Sequence, residues 1–566
     1  MRKGNLLKKI GAVCLIASMV MTQMEGAPVS KVQAATKKVA INQKNFPDTN
    51  FRNYVKNFDT DKNGSLSDAE LKKITSIGVW NNKIKNIKGV ELLTSLQVCS
   101  VSSGKLTSVD LRKNKKLQSV HIDNIKTCKT INLKGLKNLE TIYIYKVPAL
   151  KKMDITGCSN LRNLYLNGCS KITSVKNQNY KKLEILSLVR TGVKAVNVTK
   201  NTKLQSLTCG GSINKVTTTA KNTKLTSFSV YSNKKLKSVN VSKLPNLKSV
   251  DVSYSTVTLD KVKVKNKAKI EDIVLSGYNK KSVNVAAYTN LKTLDCTNSA
   301  LTGLNVSKNT KLTSLQFGSA KVTKLDLSKN KNLTSVSCSN GKLTQLNVKG
   351  LAKLEYLYCN KNQLTDLDLT GCSKLYYLAC SENKLTKLDT SALVSLTTLN
   401  CSDNKLTALE VTNNPELCWL DCANNQITSL NVSGEKKLRI SGSDIKGNPI
   451  ETIDISGTQM YSTDLRIDTL KKIIFTNILQ DYTRLYCNKD TVISIGENRY
   501  TLYKYNENIE TYEEVEDVKD SISFANYMTE QETEAKFQLV KVKEDEDEED
   551  TVCIISVGGT YGDNEW

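Results

Sequence analysis

The sequence is poor in the residues from which most catalytic sites are built. Its 566 residues include a single histidine, His121, and three tryptophans. It has no nucleophile motif and no phosphate-binding loop. Its metal-ligand spacing is limited to a single acidic loop, which is described below. Because acid–base, nucleophilic and metal-dependent catalysis need such groups in a fixed arrangement, the sequence predicts a protein that is not an enzyme.

Long apolar runs are also scarce. The run from Ile10 to Met21 is too short to cross a bilayer, and no later run reaches the roughly 20 residues of a spanning helix. Basic residues precede this run, namely Arg2, Lys3, Lys8 and Lys9. Small residues follow it at Val32-Gln33-Ala34, so residues 1–35 are predicted to be a secretory signal peptide. We therefore expect a secreted or loosely surface-associated protein without a membrane span. The low proline count and the abundance of Lys and Asn favour a Gram-positive bacterial source.

A repeat dominates the rest of the chain. The unit LEYLYCNKNQLTDLDLTGCSK starts at Leu354, and further copies start at Leu375, Leu396 and Leu417, a period of 21. Apolar residues at positions 1, 4 and 6, and again at 11, 14 and 16, predict two short strands per turn with these side chains inward. Comparable starts recur from Ile74 onward and give roughly eighteen turns. A unit this short buries its apolar face only against neighbouring units, so the sequence predicts a solenoid.

The nested spacing of the two halves resembles the IRREKO class of bacterial leucine-rich repeats, and the chain is broadly similar to internalin-like proteins. This resemblance implies a mainly β leucine-rich repeat solenoid over residues 74–457. For function it implies macromolecule binding in adhesion or surface interaction, rather than catalysis.

The segment DTDKNGSLSDAE, residues 59–70, fits an EF-hand calcium loop at every position. The predicted metal ligands are Asp59, Asp61, Asn63, Ser65 and Glu70. Apolar residues on both sides favour flanking helices, so residues 36–73 are predicted to form an EF-hand-like helical cap. An isolated extracellular loop of this kind binds calcium weakly, with Kd on the order of 10⁻⁴ to 10⁻³ M. The alternative is a degenerate loop that serves only as a cap on the first repeat.

Cysteine is abundant, with sixteen residues, which in an exported protein would suggest a disulfide scaffold. Their positions favour another interpretation, because a set of them recurs at the inward position 6 of the repeat. These are Cys209, Cys296, Cys338, Cys359, Cys380, Cys401 and Cys422. A free cysteine there acts as a small buried hydrophobe, so the thiols are predicted to be structural rather than redox-active or metal-binding.

Exposed aromatic residues concentrate in the last complete repeats. The predicted binding face consists of Tyr356, Tyr358, Tyr376, Tyr377 and Trp419. A smaller group, Tyr143 and Tyr165, lies near His121 in an earlier part of the repeat array. Tyr and Trp are enriched in binding hot spots and also stack on sugar rings, so the ligand is predicted to be a protein or a glycan. Cross-strand packing that only stiffens the sheet is the alternative.

Charge divides the chain into two parts. The formal net charge is +27, but residues 458–566 hold 11 Lys or Arg against 24 Asp or Glu, a balance of −13. The preceding part is therefore strongly basic, and we expect it to attract anionic cell-wall polymers. A structural surface component held in this way is a further alternative. No element of a nucleic-acid reader is present, so no nucleic acid is expected as a partner. Residues 458–566 alternate like short strands and are predicted to form an acidic C-terminal β cap or accessory domain.

Overall fold

A computed structural model describes most of the chain after residue 37. The described ranges are 38–81, 83–102, 104–438, 442–458, 464–466, 469–474, 483–487, 490–506, 511–528, 534–541 and 552–558. The predicted signal peptide, residues 1–35, lies outside them. Within these ranges, no helix has both the length and the apolar character needed to cross a membrane.

The chain folds as a leucine-rich repeat β-solenoid of about eighteen turns, which confirms the predicted fold class. One strand from nearly every turn enters a parallel sheet, called here the main sheet, and pairs with the strand of the next turn. Its first strand pairs only with the second and its last only with the one before it in the described chain, so the sheet is open. The strands are Ser76–Val79, Val98–Ser102, Ser119–Asp123, Thr141–Tyr145, Asn163–Asn167, Ile185–Leu188, Ser206–Cys209, Ser227–Ser229, Ser249–Asp251, Asp272–Val274, Thr293–Asp295, Ser314–Gln316, Ser335–Ser337, Tyr356–Tyr358, Tyr377–Ala379, Thr398–Asn400 and Trp419–Asp421.

Alternation within each strand separates the core from the exposed face. In Tyr356–Tyr358, the central Leu357 is fully buried while the two tyrosines are half-buried on the outer side. The parallel register keeps equivalent residues in columns, so that Leu357 stacks between Val336 and Leu378. Leucines and cysteines from successive turns thereby form one continuous apolar core, as the inward positions of the repeat predict.

The second half of the unit forms a less regular second row of parallel strands. Regular strands occur in only some turns: Ser108–Asp110, Thr130–Asn132, Lys152–Asp154, Ala195–Asn197, Lys215–Thr217, Val239–Asn240, Val262–Lys263, Lys324–Asp326, Gln345–Asn347, Leu409–Glu410, Ser429–Asn431, Thr452–Asp454 and Lys472–Ile474. Where they are absent, single backbone hydrogen bonds still join the turns, as from Lys384 N–H to the Leu364 carbonyl at 2.9 Å. Short 3₁₀ helices complete the array at Val90–Leu92, Asn177–Asn179, Leu259–Lys261 and Lys267–Lys269.

A sharp corner follows the main strand in many turns, and an asparagine side chain supports it in the last repeats. Glu382, for example, adopts a left-handed conformation with φ of 51°. The next residue, Asn383, donates from Nδ2 to the carbonyls of Cys359 and Cys380, both at 3.0 Å, and accepts the Leu364 N–H at 3.0 Å. The side chain thus satisfies buried backbone groups of two adjacent turns, which explains its recurrence without a binding role.

The amino-terminal cap is helical, with helices Thr49–Val55 and Asp68–Lys73, the 3₁₀ helix Lys56–Phe58 and the paired strands Val39–Ala40 and Ser65–Leu66. Asp48 caps the first helix and also accepts the Lys85 N–H at 2.8 Å. The Tyr54 hydroxyl accepts the Gly78 N–H at 2.9 Å. Both contacts fasten the cap to the first turn of the solenoid.

The second row continues into the carboxyl-terminal region. Thr452–Asp454 pairs with Lys472–Ile474, which pairs with the long strand Val492–Asn506. That strand forms antiparallel pairs with Thr511–Ser523 and Glu534–Lys541, and the sheet extends through Val552–Gly558, Thr483–Cys487 and Asp464–Arg466. The 3₁₀ helix Phe524–Asn526 also lies here, and the short helix Gly442–Ile445 follows the last main strand. The predicted C-terminal region is therefore β-structured and hydrogen-bonded to the repeat array.

Candidate functional site

The predicted calcium loop lies between the two cap helices and brings its carboxylates together. One oxygen each from Asp59, Asp61 and Glu70 lies within 4.8 Å of the other two. Asn63 orders the loop, since its Nδ2 donates to Asp61 Oδ2 at 2.7 Å and its Oδ1 accepts the Ser65 N–H at 2.9 Å. The four side chains and the Ser65 backbone thus occupy one small region, and all their donor atoms are the hard oxygens that calcium prefers.

The loop needs glycine at its sixth position. Gly64 has φ of 81°, in the left-handed region that side chains rarely adopt, and its N–H donates to Asp59 Oδ2 at 2.8 Å. Ser65 then begins the strand that pairs with Val39–Ala40. A short amino-terminal strand therefore lies against this loop.

Glu70 is the most enclosed of the predicted ligands. It is only 5% exposed, and four donors hold its carboxylate. Oε1 accepts the N–H and hydroxyl of Thr60 at 2.6 and 2.7 Å, while Oε2 accepts the N–H and hydroxyl of Ser67, both at 2.8 Å. The hydrogen bonds from Ser67 and Thr60 lower the pKa of Glu70 to about 2. The carboxylate is consequently ionised throughout the neutral range, as a calcium ligand must be.

The predicted aromatic face lies on the exposed side of the main sheet, where its tyrosines form two ring pairs. The rings of Tyr356 and Tyr376 have centroids 6.0 Å apart, and those of Tyr358 and Tyr377 are 5.0 Å apart with an interplanar angle of 34°. Burial raises the pKa of the Tyr358 hydroxyl. Ring contacts at such distances contribute about 0.5–1.5 kcal/mol each, so these tyrosines also stabilise the sheet.

Trp419 stands apart from the tyrosine pairs. In the column of paired residues, Thr398 separates it from Tyr377, which places the two aromatic residues two strands or about 10 Å apart. The small Thr398 side chain between two large rings leaves a gap in the face. Tyr376 is 47% exposed and Trp419 is 37% exposed, so large apolar surface remains open to a ligand here.

The aromatic group around His121, Tyr143 and Tyr165 contains more residues than the sequence predicts. His121, Tyr143 and Tyr165 form one column, with the Tyr143 ring 5.8 Å from the imidazole and 5.6 Å from the Tyr165 ring. Burial lowers the pKa of His121. Tyr145 joins at 6.3 Å from Tyr143, and Trp80, 68% exposed, lies over Gly78 at the same end of the sheet. Tyr145 and Trp80 occupy position 7 of their units, directly after the inward position 6.

Lys and Arg are absent from two columns of the exposed face of the main sheet, although Arg162, Lys248 and Lys292 occupy the repeat position of Tyr376 just before their strands. These two outward columns, which begin at Ser76 and Gly78 and end at Trp419 and Asp421, contain no Lys or Arg along all the strands. Ser and Thr dominate these columns, with tyrosines and a few aspartates. The chain holds 82 Lys and Arg, and those in the described ranges all lie outside these two columns.

The thirteen cysteines from Cys99 to Cys422 are free, and all of these but Cys418 are buried. The successive position-6 residues from Cys338 to Cys422 are fully buried in the core. Burial raises the pKa of the Cys359 and Cys401 thiols well above the ordinary value, which keeps them protonated and unreactive. These observations agree with the predicted structural role of the thiols.

Comparisons with known proteins find only distant structural similarities. No family model and no curated protein sequence matches the chain. Among solved structures, the chain is similar to the functional domain of InlJ from Listeria monocytogenes, whose description notes a cysteine ladder, with 18% identity and a TM-score of 0.44 over 93% of this chain and 99% of that one. It is also similar to the internalin InlF from Listeria monocytogenes, with 21% identity and a TM-score of 0.38 over 69% of this chain and 100% of that one. A third similar structure is YopM from Yersinia enterocolitica, with 15% identity and a TM-score of 0.39 over 72% of this chain and 89% of that one.

Proposed function

We propose that this chain is an exported, non-enzymatic protein that binds another macromolecule through the exposed face of its main sheet, in adhesion or surface interaction. The observation that carries the proposal is the exposed aromatic cluster around Tyr376 and Trp419 on a rigid, repeat-built sheet. Exposed Tyr and Trp residues lower solubility, and they are the residue types that dominate binding hot spots. A pre-formed sheet presents them without an ordering penalty on binding.

The test is capture of a partner by the mature protein, followed by substitution of the face. The triple variant Tyr356→Ala, Tyr377→Ala, Trp419→Ala should weaken binding by at least about 2 kcal/mol, or roughly 30-fold. A matched control is Tyr231→Ala, Tyr254→Ala, which removes another ring pair, with centroids 5.9 Å apart, from the corners that follow two earlier strands of the main sheet. Unchanged binding by a folded triple variant, or equal loss in the control, would refute the assignment.

A neutral carbohydrate is the second candidate ligand, and two features support it. The outward columns lack Lys and Arg and are rich in hydroxyl groups, which favours a neutral ligand over an anionic one. The gap at Thr398 is bordered by Tyr377 and Trp419, and aromatic rings on both sides of a gap suit a sugar ring. A screen against neutral glycans, read by quenching of Trp419 fluorescence, separates this candidate from a protein partner.

Calcium binding by residues 59–70 is part of the proposal. Asp59, Asp61, Asn63 and Glu70 would supply side-chain oxygens and Ser65 its backbone carbonyl. The Thr60 and Ser67 hydroxyls now bound to Glu70 can rotate away, which would free lone pairs of the carboxylate for the ion. The ion would stabilise the cap and take no part in chemistry.

Export is proposed from the basic and apolar pattern of residues 1–35. It places the protein outside a bacterial cell, secreted or loosely held at the surface, where millimolar calcium and cell-wall anions are available. A purely structural surface component, held by charge, is the third candidate. Two measurements separate the candidates: release of the protein from intact cells by salt, and capture of a partner by the purified chain. If salt releases the protein and the purified chain still captures a partner, the protein is a binding protein rather than a structural one.

A further inference from the structure

A basic groove lies on the second-row side of the first three turns, away from the exposed face of the main sheet. It encloses about 780 Å³ between the segment 86–91, the strand Ser108–Asp110 and the turn at 134–135. This volume is within the range of about 300–1,000 Å³ that ligand sites occupy. Gly135 lines the groove with φ of 75°, a left-handed backbone conformation that residues with side chains rarely adopt.

The side chains that line the groove carry an excess of positive charge. Four lysines line it, namely Lys88, Lys113, Lys115 and Lys134, and none has a carboxylate within 4.0 Å in the described part of the chain. The acidic residues in the wall are already engaged. Asp110 forms an ion pair with Arg112 at 2.7 Å, and Glu91 accepts the Gly89 N–H at 2.9 Å. Closely spaced ammonium groups repel one another, and a bound polyanion relieves that repulsion.

We propose that this groove binds a flexible linear polymer of polyol phosphodiesters. Lysine ammonium groups are strong partners for phosphate oxygens, and several of them in one groove match a repeating anion rather than a single one. Among the described residues, no aromatic side chain lines the groove, so it offers no platform of the kind on which single-stranded nucleic acids stack their bases. The proposal is independent of the aromatic face, because the outward columns of the main sheet contain no Lys or Arg.

The experiment is titration calorimetry of the full mature chain with a defined glycerol-phosphate oligomer at two salt concentrations. The groove variant is Lys113→Gln, Lys115→Gln, Lys134→Gln. The matched control is Lys203→Gln, Lys221→Gln, Lys224→Gln, which removes the same charge from exposed lysines elsewhere in the array. None of these three has a carboxylate within 4.0 Å in the described chain. Thermal melting of each variant verifies that it is folded.

The groove variant should bind the oligomer at least about tenfold more weakly than the natural chain, with a shallower dependence on salt, because fewer counterions are released. The control should lose less than about threefold. Equal losses in both variants would mean diffuse attraction by the whole basic array and would overturn the site. Single-stranded DNA of equal phosphate number forms a second arm, and binding of DNA tenfold tighter than the oligomer would overturn the ligand class.

Discussion

The calcium loop allows a quantitative prediction for Glu70→Gln. An ion that binds only the folded cap stabilises it by RT ln(1 + [Ca²⁺]/Kd). With a Kd on the order of 10⁻⁴ to 10⁻³ M, 5 mM calcium should contribute about 1–2.3 kcal/mol to the local stability of the cap. The substitution removes the ligand that closes the loop, so this contribution should vanish. It also replaces one acceptor oxygen by an NH₂ group that faces the donors of Thr60 or Ser67, which should cost about 1–3 kcal/mol even without calcium.

Hydrogen exchange measured by mass spectrometry on peptides from residues 39–73 reports this local stability directly. In the natural chain, calcium should slow exchange of these peptides relative to chelator, whereas Glu70→Gln should exchange faster and show no calcium response. Asp68→Asn is the matched control, since it neutralises a carboxylate in the first turn of the same helix that lies outside the oxygen cluster. The reasoning fails if Glu70→Gln keeps the calcium response, or if Asp68→Asn loses it equally.

The pH dependence of the cap follows from the same residue. Glu70 has a pKa of about 2 in the folded chain, below its ordinary value of 4.5, so the folded state binds fewer protons. Its stabilising contribution is complete above pH 4.5 and is lost as pH falls from 4.5 towards 2. Once the slower intrinsic exchange of amides in acid is corrected for, protection of residues 39–73 should therefore fall in that window, and the fall should be weaker in Glu70→Gln.

Two further predictions concern the core. Under native conditions, a thiol reagent followed by peptide mapping should label Cys418 and leave the buried described cysteines unmodified until denaturant is added; rapid labelling of Cys380 would contradict the proposed packing. Glu435 is 2% exposed with one carboxylate oxygen unpartnered in the described chain, and burial raises its pKa, so Glu435→Asn should stabilise the chain by about 1–3 kcal/mol at pH 7. Because the raised pKa makes the natural carboxylate less favourable as pH rises above 4.5, the gain measured by urea denaturation should shrink below that pH.

The sequence predicts the solenoid well because its information is local and repeated. Leu357 occupies an inward position that recurs in every copy of the repeat. Parallel stacking of the turns then aligns the equivalent residues, such as Val336 and Leu378. The clustering of Asp59, Asp61 and Glu70 is predictable for the same reason, since these residues lie within twelve positions of one another. The corner at Glu382 is harder to predict, because a left-handed backbone is unfavourable for a glutamate. Hydrogen bonds of Asn383 to the adjacent turn stabilise this conformation.

What the sequence does not reveal are relations across turns. The distance between Tyr377 and Trp419 depends on the intervening Thr398 strand, and only the stacked register shows that the predicted aromatic patch contains a gap. The sequence does not mark Tyr145 as exposed, because the alternation of the repeat ends at the inward position 6, whereas position 7 also faces outward in the longer early strands. The sequence also does not predict that the C-terminal strands hydrogen-bond to the second row, since alternation of residues along a strand does not specify which strand it pairs with.

The distribution of charge links the two proposed binding surfaces. A net charge of +27 suggests a chain that adheres to anions everywhere, but the outward columns of the main sheet contain no Lys or Arg. Screened attraction falls off over about 8–10 Å, so a polyanion would associate with the turns and the groove and not with the sheet face. Such a polymer would hold the solenoid by its basic side while the tyrosines and Trp419 stay open to a second ligand. High salt should then abolish the first interaction and spare the second, because ring contacts and apolar burial do not depend on ionic screening.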